Sequence, residues 1–140
     1  MRDYIIDANV LMSIIISGKA IYKPLLDYYH FFMPEFGLVE IDKYRNLIFE
    51  KTKMQRNELI TYSYSVFSSI TILPNYIMDD EIMKTAFELV KEVDIKDVSY
   101  VSLAMQLNLI LLSRDKPLIE GVQKRKFKKI MHFDDFLRNV

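Results

Sequence analysis

The sequence predicts an α/β chain built as a three-layer α/β/α sandwich around a parallel sheet. Three observations carry that expectation. Short continuous apolar runs, such as Tyr4-Ile5-Ile6 and Leu109-Ile110-Leu111-Leu112, are too brief for helices and apolar on both faces of a pleat. Longer amphipathic stretches lie between such runs, so each strand is followed by a crossover of helical length. Only three glycines and four prolines occur in 140 residues, so linkers are short and one domain over residues 1–140 is the expected organisation.

The elements follow in order. Arg2 to Ile6 is the first strand. Asp7 or Asn9 caps the next helix, since either side chain can accept the free N–H groups of a first turn. Gly18 ends that helix. Lys19 to Tyr29 forms a shorter helix, and His30 to Met33 an aromatic strand closed by Pro34. From Phe36 to Lys51 the apolar positions Leu38, Ile41, Tyr44, Leu47 and Ile48 share one face, which predicts a single helix. Gln55 to Ser68 keeps a helical rhythm. Ile70 to Leu73 is the third strand, ended by Pro74. Asp79 to Lys91 turns Ile82, Met83, Ala86, Leu89 and Val90 inward. A helix runs from about Asp94 to Leu107, and Leu109 to Leu112 is the fourth strand. A short helix over Pro117 to Gln123, a fifth strand over Lys128 to His132 and a helical turn over Asp134 to Arg138 complete the chain.

Composition excludes several classes. Formal net charge is zero, so any grip on nucleic acid must come from a local patch rather than bulk charge. There is no cysteine, which removes disulfides and thiolate metal sites. The two histidines, His30 and His132, are far apart in sequence, so a metal here would take oxygen ligands, favouring Mg2+ or Mn2+. The apolar run Val10 to Ser17 is too short to span a bilayer, and no small-residue cleavage site follows it. A cytoplasmic protein with no membrane association is expected.

Four acids bear on chemistry. Asp7 closes the first apolar run and Asp115 follows the fourth. Open parallel sheets bind ligands in the crevice beyond the carboxyl ends of their strands. Each acid also has a structural reading: Asp7 as a helix cap, Asp115 as a turn residue before Lys116-Pro117. Asn9 could orient Asp7 or hold a water of the metal, and the hydroxyl of Ser113 could point into the same crevice as Asp115. Glu40 sits early in a helix, where the dipole favours a carboxylate without any function; Glu35 and Asp42 compete with it. Asp97 shares a stripe with Val101 and Ala104 at the end of a buried face, and Asp94, three residues earlier, is its companion or its cap. The run Lys124-Arg125-Lys126-Phe127-Lys128-Lys129 reads as a solvated strand edge or as a phosphate-binding rim. The tyrosines, among them Tyr28, Tyr64, Tyr76 and Tyr100, read mainly as core or interface residues, with base stacking as the alternative.

Taken together, Tyr4-Ile5-Ile6-Asp7-Ala8-Asn9-Val10-Leu11, Val39-Glu40-Ile41, Asp97-Val98-Ser99-Tyr100-Val101-Ser102-Leu103-Ala104 and Leu111-Leu112-Ser113-Arg114-Asp115-Lys116 resemble the PIN domain, the nuclease fold of many VapC-type toxins. The resemblance spans nearly the whole chain. It implies a five-stranded parallel sheet in the order 3-2-1-4-5, which sets Asp7 and Asp115 across one crevice. It also implies metal-dependent cleavage of RNA by Asp7, Glu40, Asp97 and Asp115. Asp7, Asp97 and Asp115 would hold Mg2+ or Mn2+, Glu40 a second metal or its water, and Asn9 and Ser113 would orient the set. Ser113 stands where threonine is frequent and keeps the hydroxyl. By the same resemblance the partners are an RNA substrate, an antitoxin and a second copy in a homodimer. Two other readings compete: a haloacid-dehalogenase-like phosphatase, faintly resembled by Asp7-Ala8-Asn9-Val10, and a non-catalytic binding module of the same fold.

Overall fold

A computed structural model describes residues 2–140. Five strands form one sheet: β1 (Asp3–Ile6), β2 (His30–Pro34), β3 (Ile70–Leu73), β4 (Ile110–Ser113) and β5 (Ile130–His132). All pairings are parallel, and the spatial order is β3-β2-β1-β4-β5, as expected. Ile5, Ile6, Phe31, Met33, Leu111 and Leu112 are all but inaccessible. Strands covered on both faces explain why their sequences read as continuous apolar runs rather than as alternation.

Nine helices cover the sheet among the described residues: α1 (Ala8–Ser17), α2 (Tyr22–Tyr28), α3 (Phe36–Lys43), α4 (Arg45–Lys51), α5 (Arg56–Ser68), α6 (Asp80–Val90), α7 (Val98–Leu107), α8 (Lys116–Lys124) and α9 (Phe133–Arg138). α1 packs against α3, α4 and α5, while α6 packs against α7 and α8. Strand order reverses direction at β1, so right-handed crossovers put the first group on one face and the second on the other. α1 ends at Gly18, whose φ of 59° is left-handed and whose N–H bonds to Ile14 O. Only glycine adopts that conformation without a steric cost.

Two expected helices are divided. The stretch from Phe36 to Lys51 breaks at Tyr44, where φ is −104° and ψ 20°, giving α3 and α4. Of the shared apolar stripe only Ile41 and Ile48 are buried, while Leu38 and Leu47 reach solvent. Each half therefore turns its own apolar residue onto α1, which one straight helix would not do. The stretch from Asp94 to Leu107 begins as a 3-10 turn over Ile95–Asp97 before α7 starts at Val98. Pro34 lies inside β2 rather than beyond it. It pairs with Leu73 after the register with β1 has ended at Phe32, so its missing N–H leaves no gap in the ladder. A further 3-10 turn at Asn75–Ile77 was not expected beyond Pro74. Strands β1 and β5 begin one and two residues later than expected, at Asp3 and Ile130.

Candidate active site

The acids converge because β1 and β4 are neighbours. Ile6 pairs with Leu112, so the next residues, Asp7 and Ser113, lie side by side at the carboxyl edge. Asp7 leaves the strand with extended backbone and caps α1, its Oδ1 accepting the Val10 N–H at 2.9 Å. Asp115 does the same for α8, accepting the Leu118 N–H at 3.0 Å. The capping readings of both residues are therefore correct. They do not compete with a chemical role, because each cap occupies one carboxylate oxygen and leaves the other.

Ser113 ties the two together. Its hydroxyl oxygen accepts the Asp115 N–H at 3.1 Å, and its side chain lies close enough to the Asp7 carboxyl to lower its pKa. It is wholly buried. Asn9 is exposed, and among the described residues no hydrogen bond joins it to Asp7. The hydrogen bond that orients the Asp7 carboxylate comes from the Val10 amide.

Asp97 enters from the other side. The 3-10 turn delivers its carboxyl to the start of α7, where the residue is only 5% exposed and Oδ2 accepts no hydrogen bond. An unpaired buried carboxylate oxygen is costly. Burial pushes the Asp97 carboxyl up to about 7, reinforced by the charges of Asp94, Asp115, Asp7 and Glu40. Burial also pushes Asp7 up to about 6, opposed by Ser113 and the Val10 bond and reinforced by Glu40 and Asp115. The four acids thus share one electrostatic environment, and each added charge disfavours the others.

Glu40 comes from α3. A Cβ at Gly37 would stand 2.5 Å from Met33 Sδ, so glycine is what lets this helix rest closely on the end of β2. Glu40 then receives the hydroxyl of Tyr100, a fully buried residue on α7. Burial and that bond raise the Tyr100 pKa, so the phenol stays a donor. Tyr100 is thus a member of this site, although sequence alone assigns it to the core or to base stacking. Its spacing of three from Asp97, which stands at the N-cap of the helix that carries Tyr100, is the signal that points to it. The competing acids have other work or other places. Glu35 accepts the Asn75 N–H at 2.7 Å and pins the turn after β3, while Asp42 is exposed beside Arg45.

The basic run does not rim this crevice. It precedes β5, and a parallel β5 starts at the edge opposite the acids. Arg125 is held there by Glu88 O at 2.5 Å and by Glu92 at 2.7 Å. A groove of about 780 Å³ between α2 and the chain's end, lined by Tyr22, Leu25, Tyr28 and Leu137, has no acidic lining. No helix of the described residues is long and apolar enough to cross a membrane.

The family model described as "PIN domain" matches residues 5–134, from β1 through the start of α9. The chain belongs to the PIN domain family. PIN domains are generally metal-dependent nucleases, and this match displaces the phosphatase alternative. Among solved structures, the crystal structure of PAE2754 from Pyrobaculum aerophilum is similar, with a TM-score of 0.69 at 16% identity over 98% of this chain and 88% of that one. At that identity the likeness speaks for the PIN fold alone. Comparison with curated proteins finds no match.

As a PIN domain, the chain offers an all-oxygen donor set suited to a hard divalent cation. Among the described residues no three acids or histidines are grouped closely enough, as they stand, to hold a metal ion. The fit rests instead on the unpaired Asp97 Oδ2 and on the mutual repulsion of Asp7, Glu40, Asp97 and Asp115, both of which a cation would relieve.

Proposed function

We propose that this protein is a metal-dependent endoribonuclease whose centre is the carboxylate crevice. The observation that carries the reading is the buried Asp97 carboxyl, with one oxygen unpaired and its ionised form opposed by three neighbouring site acids. A fold keeps such a group only where something else repays its cost.

In this reading Asp7, Asp97 and Asp115 hold Mg2+ or Mn2+, and Glu40 faces a second cation or its water. A divalent cation there supplies activation of the attacking water and neutralisation of charge on the phosphate. The residues of the chain supply position. The Val10 amide fixes the Asp7 carboxylate, the Leu118 amide fixes Asp115, and Ser113 holds the Asp115 backbone. Tyr100 fixes Glu40. The strand ends and helix starts that carry these groups are rigid, so the acids need little reorganisation when substrate arrives. A VapC-like toxin role, with an antitoxin covering the crevice and a homodimeric assembly, is the setting that the Tyr4–Leu11 and Asp97–Ala104 resemblance favours.

The reading is tested by offering the protein labelled single-stranded RNA and a phosphomonoester, each with Mn2+, Mg2+ or EDTA. It expects internal cleavage of RNA that EDTA abolishes. Phosphate release from the monoester without RNA cleavage would refute it.

A further inference from the structure

The acids attract metal but repel the phosphates of a nucleic acid, so the crevice needs a cation of its own at its mouth. The basic run stands at the opposite edge. Arg114 is committed elsewhere, its Nη2 lying 3.1 Å from Asp134 and its guanidinium over the Phe133 ring. Lys116 is exposed at the start of α8, and among the described residues no carboxylate pairs with it.

Lys96 differs from these. It precedes Asp97 in the 3-10 turn, and Asp94 clips it twice. Asp94 Oδ1 accepts the Lys96 N–H at 3.2 Å, while Asp94 Oδ2 lies 3.4 Å from the Lys96 ammonium. The backbone bond fixes the Asp94 carboxylate, and the carboxylate then holds the lysine. The Lys96 side chain remains 46% exposed, so its ammonium can take a second partner. Lys96 is joined directly to Asp97 in that turn, so the clipped lysine is anchored beside the buried carboxyl of the crevice.

We propose that Lys96 is a substrate-binding residue that contacts a backbone phosphate of single-stranded RNA at the mouth of the crevice, and that Asp94 is the positioning residue that holds it there. The assignment rests on the nuclease reading above and gives Asp94 a role apart from metal binding. A lone exposed ion pair contributes little to stability, so the double clip has its effect in pre-organising a cation that phosphate can approach.

The test is fluorescence anisotropy of a short labelled single-stranded RNA on the full chain. Ca2+ replaces Mn2+ as an oxygen-binding cation, and salt is varied. Lys96→Gln is expected to weaken binding several-fold and to flatten the slope of log K against log salt by about 0.7, the value of one phosphate contact on a single strand. Lys96→Arg restores both. Asp94→Asn keeps the backbone cap, loses the ammonium's partner and weakens binding to an intermediate degree. Lys126→Gln, at the far edge, leaves binding unchanged. Unchanged affinity and slope in Lys96→Gln overturn the proposal, and so does an equal loss in Lys126→Gln, which would mean that only net charge matters. If the unaltered protein binds no RNA, the nuclease reading and this assignment fail together. Binding by the unaltered protein with no effect of Lys96→Gln removes this assignment alone.

Discussion

The Tyr100 hydroxyl donates to the Glu40 carboxylate, joining two helices across sixty positions of sequence. The bond connects α7, whose first residue follows Asp97, to α3, which carries Glu40. Tyr100→Phe removes the donor and preserves the ring's packing. Stability should fall by about 1 kcal/mol, or roughly 2–4 °C in melting temperature for a chain of this size. RNA cleavage should fall by about tenfold or more, because Glu40 loses its fixed orientation. Paired thermal melts and single-turnover rates check both numbers.

Asp115 has two roles that can be separated. Asp115→Ala removes the cap on Leu118 and should cost about 1 kcal/mol. Asp115→Asn retains a capping oxygen and should melt within a degree or two of the unaltered protein. Both variants should lose metal-dependent cleavage. If the asparagine variant cleaved normally, Asp115 would be a cap and nothing more.

Metal-free stability should depend on pH in an unusual direction. Asp7 and Asp97 have pKa values raised from 3.8 to about 6 and about 7. The folded state therefore binds protons more tightly than the unfolded state between those limits. The stabilisation from protonation is complete below about pH 4 and is lost as pH rises through 6 to 7. A tenfold difference in proton affinity between the two states is worth about 1.4 kcal/mol, so the loss across the window is on the order of a few kcal/mol. Urea melts in EDTA at pH 5 and pH 8 should show the lower stability at pH 8. Added Mn2+ should stabilise more at pH 8 than at pH 5, because the ion binds the ionised acids.

The same repulsion predicts a trade between stability and function. Asp7→Asn retains the α1 cap and the shape of the site while removing one charge. In EDTA at pH 8 it should be at least as stable as the unaltered protein, and it should be inactive. Denaturant midpoints measured beside RNA cleavage decide this. A variant markedly less stable without metal would show that the Asp7 charge is a structural asset.

Much of this arrangement was legible in the sequence, for identifiable reasons. Asp7 and Asp115 directly follow buried apolar runs, and a parallel sheet brings the ends of neighbouring strands together. Asp97 stood at the end of an apolar stripe. The division at Tyr44 was not legible, because two helices in line produce the same spacing as one. Glu35, Glu40 and Asp42 lie within two helical turns, and only the packing of α3 on β2 selects Glu40. Tyr100 was hidden among nine tyrosines, most of which fill the core or the surface. The place of the basic run could have been inferred. It precedes the fifth strand, and the start of a parallel strand lies at the edge away from the acids.

The most direct test is the Mn2+ dependence of RNA cleavage by the unaltered protein and by Asp97→Asn, measured in single turnover. The unaltered protein should show cleavage that rises with Mn2+ to saturation. Asp97→Asn should be slower by at least about a hundredfold, with its dependence displaced to higher Mn2+, while folding normally. If Asp97→Asn cleaved RNA at the unaltered rate and the same Mn2+ concentration, the buried carboxylate would have no part in the chemistry, and the crevice would not be the active site.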